Sequence, residues 1–156
     1  MILLLIRHGN ATKPPGENHL QLTALGKKEA ARSAQAMRDH QIQLEAIWHS
    51  SKPRAVATAG ILLEKCGNPI TRLEEKAQLA PDGDPQTVYD DLLAEKPACV
   101  ALVSHLPFLE RMAYRLQETM GHSLELEFPT AGIQAFRFDQ HWEWLWSFDP
   151  SENGPR

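Results

Sequence analysis

The sequence predicts an α/β fold on a mostly parallel sheet, and three observations carry that prediction. Apolar runs of strand length, Ile2–Ile6, Ala46–Trp48 and Cys99–Val103, alternate with stretches of helical periodicity, the pattern of packed α/β layers. Cys99-Val100-Ala101-Leu102-Val103 is apolar at every position, as a strand covered on both faces requires. The chain has 156 residues, 42% of them hydrophobic, enough to bury one sizeable core. The expectation is a single domain over residues 1–150, followed by a short C-terminal tail over 151–156.

The elements follow in order. The first strand covers Ile2 to Arg7. Lys13-Pro14-Pro15-Gly16 is a loop, because prolines remove backbone donors and fix φ. Leu22-Thr23 opens a helix to about Asp39, with Thr23 as N-cap and Ala30, Ala34 and Met37 on one face, at helical spacing. Ala46-Ile47-Trp48-His49 is a short strand. Pro53 sits in the first turn of the next helix, where its missing N–H has no intrahelical partner to lose. That helix runs to Cys66 and stops at Gly67-Asn68-Pro69.

Ile70 to Leu79 combines a third strand with an approach loop, and Pro81-Asp82-Gly83-Asp84-Pro85 makes a turn. Gln86 to Glu95 is helical, with Val88, Leu92 and Leu93 facing inward. Cys99 to Val103 is the central strand, and Pro107 opens a helix to about Gln117. Leu124–Phe128, Ile133–Phe138 and Trp142–Phe148 read as later strands. Trp142, Trp144 and Trp146 alternate at period two, so they are expected on one face of the last strand.

Composition excludes several classes. A net charge of −4 with no run of Lys or Arg argues against binding to a nucleic-acid backbone. The two cysteines, Cys66 and Cys99, lack metal-ligand spacing and suit free or packed thiols of a reducing cytoplasm. The opening apolar run is short and is interrupted at once by Arg7, unlike a signal peptide. No stretch reaches the roughly 18 to 20 apolar residues of a membrane span. A soluble, cytoplasmic protein without membrane contact is expected.

The chemistry lies at strand ends. Arg7-His8-Gly9 follows the first strand, Ser50-Ser51-Lys52-Pro53-Arg54-Ala55 the second, and Ser104-His105 the central one. Ligands of an open parallel sheet bind beyond the carboxyl ends of its strands, so the three segments are placed to converge. A neutral His8 can attack phosphorus and form a phosphohistidine, splitting one transfer into two steps. Neighbouring cations favour that neutral form. Arg7 and Arg54 grip phosphoryl oxygens as planar forks, and His105 adds a donor. An arginine in a first helical turn opposes the helix dipole unless an anion sits nearby. No metal-ligand cluster and no cofactor motif is present in the sequence.

Arg7-His8-Gly9, Leu22-Thr23-x-x-Gly26, Ser50 through Arg54-Ala55-x-x-Thr58, and Ser104-His105 together resemble the histidine phosphatase (phosphoglycerate mutase-like) superfamily. The small size and Leu79-Ala80-Pro81-Asp82-Gly83-Asp84 resemble its SixA branch of phosphohistidine phosphatases most. The resemblance covers about Met1 to Pro107. It implies a three-layer α/β/α sandwich, His8 as the phosphorylated nucleophile, and Arg7, Arg54 and His105 as the phosphate pocket, with Gly9 and Asn10 in the binding loop. The implied partner is a protein bearing phosphohistidine, of the phosphotransfer-domain type.

The chain departs from the branch pattern in three places. Asn10 stands where an acid is usual, and Pro53 comes later than in the common Ser-Pro-x-x-Arg motif. Gln78 stands near the position where ester-cleaving members carry an acid; the nearest acids are Asp82 and Asp84. An alkoxide leaves poorly without a general acid, whereas a phosphoimidazole departs readily once its ring is protonated. A P–N substrate is therefore favoured over a phosphate monoester with Asp82 or Asp84 as acid. A non-catalytic phosphohistidine-binding module is the third reading, and it leaves a nucleophile at His8 unexplained.

Other residues read more plainly. Ser50 either binds phosphate or caps the helix, with capping favoured. His49 lies close to the site but reads equally as a strand-end surface group and is left out of it. His19, His40, His122 and His141 belong to the surface. Ser104 lacks the Gly-x-Ser-x-Gly turn of a serine hydrolase.

Overall fold

The computed structural model describes residues 1–151; apart from Ser151, the expected tail lies outside them. β1 (Ile2–Arg7) takes the centre because four successive side chains, Leu3 to Ile6, are fully buried. A short hairpin follows, β2 (Ala11–Thr12) and β3 (Gln21–Leu22), so Leu22 precedes the helix instead of opening it. α1 (Ala24–Asp39) begins at Thr23, whose hydroxyl accepts from the Gly26 N–H, as an N-cap should. β4 (Ala46–His49) and α2 (Pro53–Cys66) occupy the expected positions, with Pro53 in the first turn. β5 (Arg72–Glu75) is followed by a 3-10 turn, Ala77–Leu79. α3 (Pro85–Glu95), β6 (Cys99–Ser104), α4 (Phe108–Gln117), β7 (Ile133–Asp139) and β8 (His141–Phe148) complete the chain.

One six-stranded sheet runs β5-β4-β6-β1-β7-β8. The β5–β4, β4–β6 and β6–β1 pairings are parallel; β7 and β8 join antiparallel. Helices cover both faces. Leu3, Leu5 and Leu102 pack with Val88, Leu92, Phe108 and Met112 from α3 and α4. Leu4, Ile6 and Val103 pack with Ala34, Met37, Ala59 and Leu62 from α1 and α2. This is the three-layer α/β/α sandwich, and period-two alternation along β1 divides its side chains between the two cores. No helix among the described residues is long and apolar enough to cross a membrane.

Two expectations are corrected. Leu124–Phe128 is not a strand. β7 already has β1 and β8 as neighbours, so no edge is open to it there, and side chains satisfy the segment's backbone instead. The Leu124 N–H donates to Gln117; the Glu127 and Phe128 carbonyls accept from Gln134 (2.8 Å) and Arg7 (3.0 Å).

The three tryptophans do not share a face. Ala135 pairs with Trp146 but Phe136 with Trp144, so Leu145 is an extra residue that reverses the alternation. Trp142 is buried on the α3/α4 side, donating to the Tyr89 hydroxyl. Trp144 donates to Gln134 at 2.9 Å. Trp146 packs on the opposite core and stacks on His40, with ring centroids 3.7 Å apart.

Candidate active site

The register that pairs Arg7 with Ser104 carries both parallel strands one residue further to His8 and His105. Their ring centroids lie 5.0 Å apart. β4 ends beside them: His49 pairs with Val103, and the Ser50 N–H donates to the Val103 carbonyl at 3.2 Å. α2 starts directly afterwards and brings Arg54 in its first turn.

Backbone bonds clamp His8 between two neighbours. Its N–H donates to the Ser104 carbonyl and its own carbonyl accepts from the Ala131 N–H, both at 3.0 Å. The ring Nδ1 lies 2.7 Å from the Gly9 carbonyl. A carbonyl only accepts, so Nδ1 carries the proton and the neutral ring keeps its lone pair on Nε2. Burial draws the His8 pKa down to about 4; the Gly9 bond opposes this, and Arg54 and Arg7 add to it. His8 is therefore an uncharged imidazole at neutral pH.

His105 is only 2% exposed. Burial first, then His8, Arg54, Lys52 and Arg7, push its pKa down to about 3. Arg7 donates one terminal nitrogen to Phe128. Arg7 Nε, Arg54 Nε and His105 Nδ1 are buried with no protein partner among the described residues. Such groups are rare, and two guanidinium N–H donors beside paired imidazoles suit an anion with several oxygens. Lys52 caps α2 without a side-chain hydrogen bond, which leaves the helix dipole to favour the same anion.

The loop after His8 is held from below. The Gly9 N–H donates to Thr58 Oγ1 at 3.0 Å, and the Thr58 hydroxyl donates to the Arg54 carbonyl at 2.8 Å. The Asn10 N–H donates to Glu29 at 2.8 Å, and its Oδ1 accepts from the Thr23 hydroxyl at 2.8 Å. The other Glu29 oxygen accepts from Thr130 at 2.7 Å.

Glycine is needed on both sides of this contact. A Cβ on Gly9 would stand 2.6 Å from the Gly26 carbonyl oxygen, and one on Gly26 would stand 2.2 Å from that of Asn10. Helix propensity alone favours alanine over glycine by about 1 kcal/mol. Gly26→Ala is nevertheless expected to destabilise the protein by about 1–3 kcal/mol through overpacking, measured by urea denaturation.

The depressed histidines also set an acid response. Both rings are neutral in the fold, whereas the unfolded chain takes up protons below the usual 6.5. The unfolded state then binds more protons, so stability falls as pH drops from 6.5 towards about 4 for His8 and about 3 for His105. The slope approaches about 1.4 kcal/mol per pH unit for each ring. Denaturant midpoints at pH 7 and pH 5 are expected to differ less in His105→Gln than in the wild type.

The structure thus brings Arg7, His8, Gly9, Asn10, Arg54 and His105 to one end of the sheet. Ser50 is corrected: Lys52 is the N-cap of α2, and Ser50 Oγ lies 2.6 Å from His105 Nε2. His49 is buried, with its Nδ1 donating to the Ser50 carbonyl at 2.9 Å. Asp84 caps α3, accepting from Gln86 N–H and the Thr87 hydroxyl, both at 3.0 Å. Gln78 accepts from the Asp84 N–H at 3.0 Å, and Asp82 is exposed. Glu29 escaped the sequence reading, because spacing alone does not show that a charged helix residue faces inward. Among the described residues, no group of three or more His, Cys, Asp or Glu is placed to hold a metal ion.

Fold and site define a class of protein: an α/β/α sandwich that presents a neutral histidine among guanidinium groups at its strand ends. The branch 1 model of the histidine phosphatase superfamily matches residues 3–79 of the chain. The structure is similar to the protein histidine phosphatase SixA in complex with tungstate: 26% identity, 97% of this chain and 98% of that one covered, TM-score 0.83. It shares its fold with a SixA-type protein from Agrobacterium tumefaciens: 21% identity, coverage 96% and 97%, TM-score 0.79. The fold is also that of a mycobacterial glucosyl-3-phosphoglycerate phosphatase complexed with VO3: 16% identity, coverage 93% and 98%, TM-score 0.69. No curated protein sequence matches the chain significantly.

Proposed function

We propose that this protein is a SixA-like phosphohistidine phosphatase, hydrolysing the P–N bond of a phosphorylated protein through a phospho-His8 intermediate. The observation that carries the reading is the His8 Nδ1–H donated to the Gly9 carbonyl at 2.7 Å. It leaves Nε2 as the free nucleophilic nitrogen on a ring that burial keeps neutral. Nε2 attacks phosphorus as the P–N bond of the substrate breaks, and the departing imidazole takes up a proton. Water then attacks phosphorus, releasing phosphate and restoring His8.

Arg7 and Arg54 supply fixed donors where charge develops on the phosphoryl oxygens, and His105 supplies another. Gly9 lets the loop approach closely, and Asn10 offers its Nδ2 while Thr23 holds its Oδ1. These cations do the electrostatic work without a metal. Commitment of Asp84 to a helix cap supports a substrate whose leaving group needs no acid from that loop. The likeness to SixA with tungstate supports the same substrate class. One domain over residues 1–150 carries the activity, in the cytoplasm, where free thiols such as Cys66 and Cys99 stay reduced.

The test compares a phosphohistidine-bearing phosphotransfer protein with p-nitrophenyl phosphate, with and without EDTA. Faster turnover of the protein substrate, unaffected by chelation, is expected. Preference for the ester would replace this reading with a monoester phosphatase, and binding without turnover would replace it with a binding module.

A further inference from the structure

Ser50 is buried completely and touches His105 instead of capping its helix. Its hydroxyl has one proton to donate and can accept two. Two hydrogen bonds reach the oxygen: the Lys52 N–H donates to it at 3.3 Å, and His105 Nε2 lies at 2.6 Å. The Lys52 contact uses an acceptor position and leaves the hydroxyl proton unassigned.

The two possible proton arrangements differ in what they leave unpaired. If Nε2–H donated to Ser50, the hydroxyl proton would have no acceptor among the described residues. The Nδ1 lone pair, also buried without a partner, would be a second orphan. If Ser50 donates to Nε2 instead, the hydroxyl is satisfied and Nδ1–H alone lacks a partner. One buried unsatisfied polar group costs less than two, at about 1–3 kcal/mol each.

Building on the proposed function above, we infer that Ser50 is a positioning residue that holds His105 as its Nδ1–H tautomer, so that this N–H serves as a phosphoryl-oxygen donor. The orphan donor has its complement in the reaction itself: a phosphoryl oxygen supplies the acceptor that the described residues do not. The two imidazoles then have complementary roles at a centroid spacing of 5.0 Å. In each, a neighbouring oxygen sets the tautomer. The Gly9 carbonyl takes the Nδ1 proton of His8 and frees a lone pair to attack. The Ser50 hydroxyl occupies the Nε2 lone pair of His105 and commits that ring to donating. The low His105 pKa is consistent with a neutral ring, for which the choice of tautomer matters.

The test reads the tautomer directly, by long-range 1H–15N NMR of the His105 ring in the wild-type protein without substrate. A protonated Nδ1 with a bare Nε2 is expected; a protonated Nε2 would overturn the inference. Ser50→Ala is expected to populate both tautomers, to weaken inorganic phosphate binding about tenfold, and to lower kcat about 10- to 100-fold. Ser50→Thr, which keeps the hydroxyl, is expected to restore the Nδ1–H form. A folded Ser50→Ala with unchanged tautomer and phosphate affinity would overturn it equally. Because the tautomer is read without turnover, inactivity on phosphohistidine would overturn the proposed activity and leave the wild-type tautomer to decide this inference.

Discussion

His8→Ala is expected to lower turnover of a phosphohistidine protein by roughly 10^4-fold or more, while leaving the protein folded. The loss is large because the proposed route needs a nitrogen lone pair that forms a bond to phosphorus. None of the guanidinium donors around it can replace it, since a guanidinium has no free lone pair at working pH. Rapid quench of the wild type into alkaline detergent should trap a phosphoenzyme that is stable in alkali and lost in acid, as a phosphoimidazole is, and His8→Ala should yield none. A trapped phosphoenzyme in His8→Ala would move the nucleophile elsewhere. Folding should survive, because the main-chain bonds to Ser104 and Ala131 need no side chain at position 8. Removal of a ring with a pKa near 4 should also make the variant less sensitive than the wild type to acidification below pH 6.5.

Arg54→Ala should have the next largest effect, a fall in kcat/KM of about 10^2- to 10^3-fold. Burial lowers the Arg54 pKa from its ordinary value, yet a guanidinium keeps its charge under any working condition. Its Nε, in the first turn of α2, is a buried donor without a partner among the described residues. Arg54→Lys should recover only part of the loss, because an ammonium restores charge but not the planar fork. Steady-state kinetics separate the contributions: a fall in kcat marks a grip on the transition state, and a rise in KM alone marks uniform binding. Full recovery by lysine would reduce the role of Arg54 to a point charge.

The reactive residues were legible from position as well as type. Arg7, His8 and His105 each end an apolar run, and the alternation of runs with helical patterns already put those ends on one side of a parallel sheet. Arg54 was legible from an electrostatic misfit, a cation in the first turn of a helix. What failed was local pattern without a partner. Leu124–Phe128 has strand-like alternation, with positions 124, 126 and 128 partly or fully buried, yet the segment pairs with no strand of the sheet, and alternation without a pairing partner makes no strand. The tryptophans of β8 keep period two in the sequence, but the extra residue Leu145 in the ladder sends Trp146 to the opposite core. A bulge depends on the pairing of two segments, and neither segment records it alone.

The sequence by itself determined the layered α/β fold, the order of most elements, the N-cap at Thr23 and the set of groups able to handle a phosphoryl group. These follow from periodicity, glycine and proline placement and side-chain chemistry, which are local properties of the chain. Only the tertiary structure decided the protonation states and the hydrogen-bond partners. Burial makes both site histidines neutral, and the Gly9 carbonyl selects the His8 lone pair. Ser50, which sequence reading assigned to a helix cap, lies against His105 because the registers of β4 and β6 end together. A residue's tautomer and pKa depend on what the fold packs around it, and residues 45 or more positions apart in the chain meet here only because the parallel strands β1, β4 and β6 bring their ends side by side.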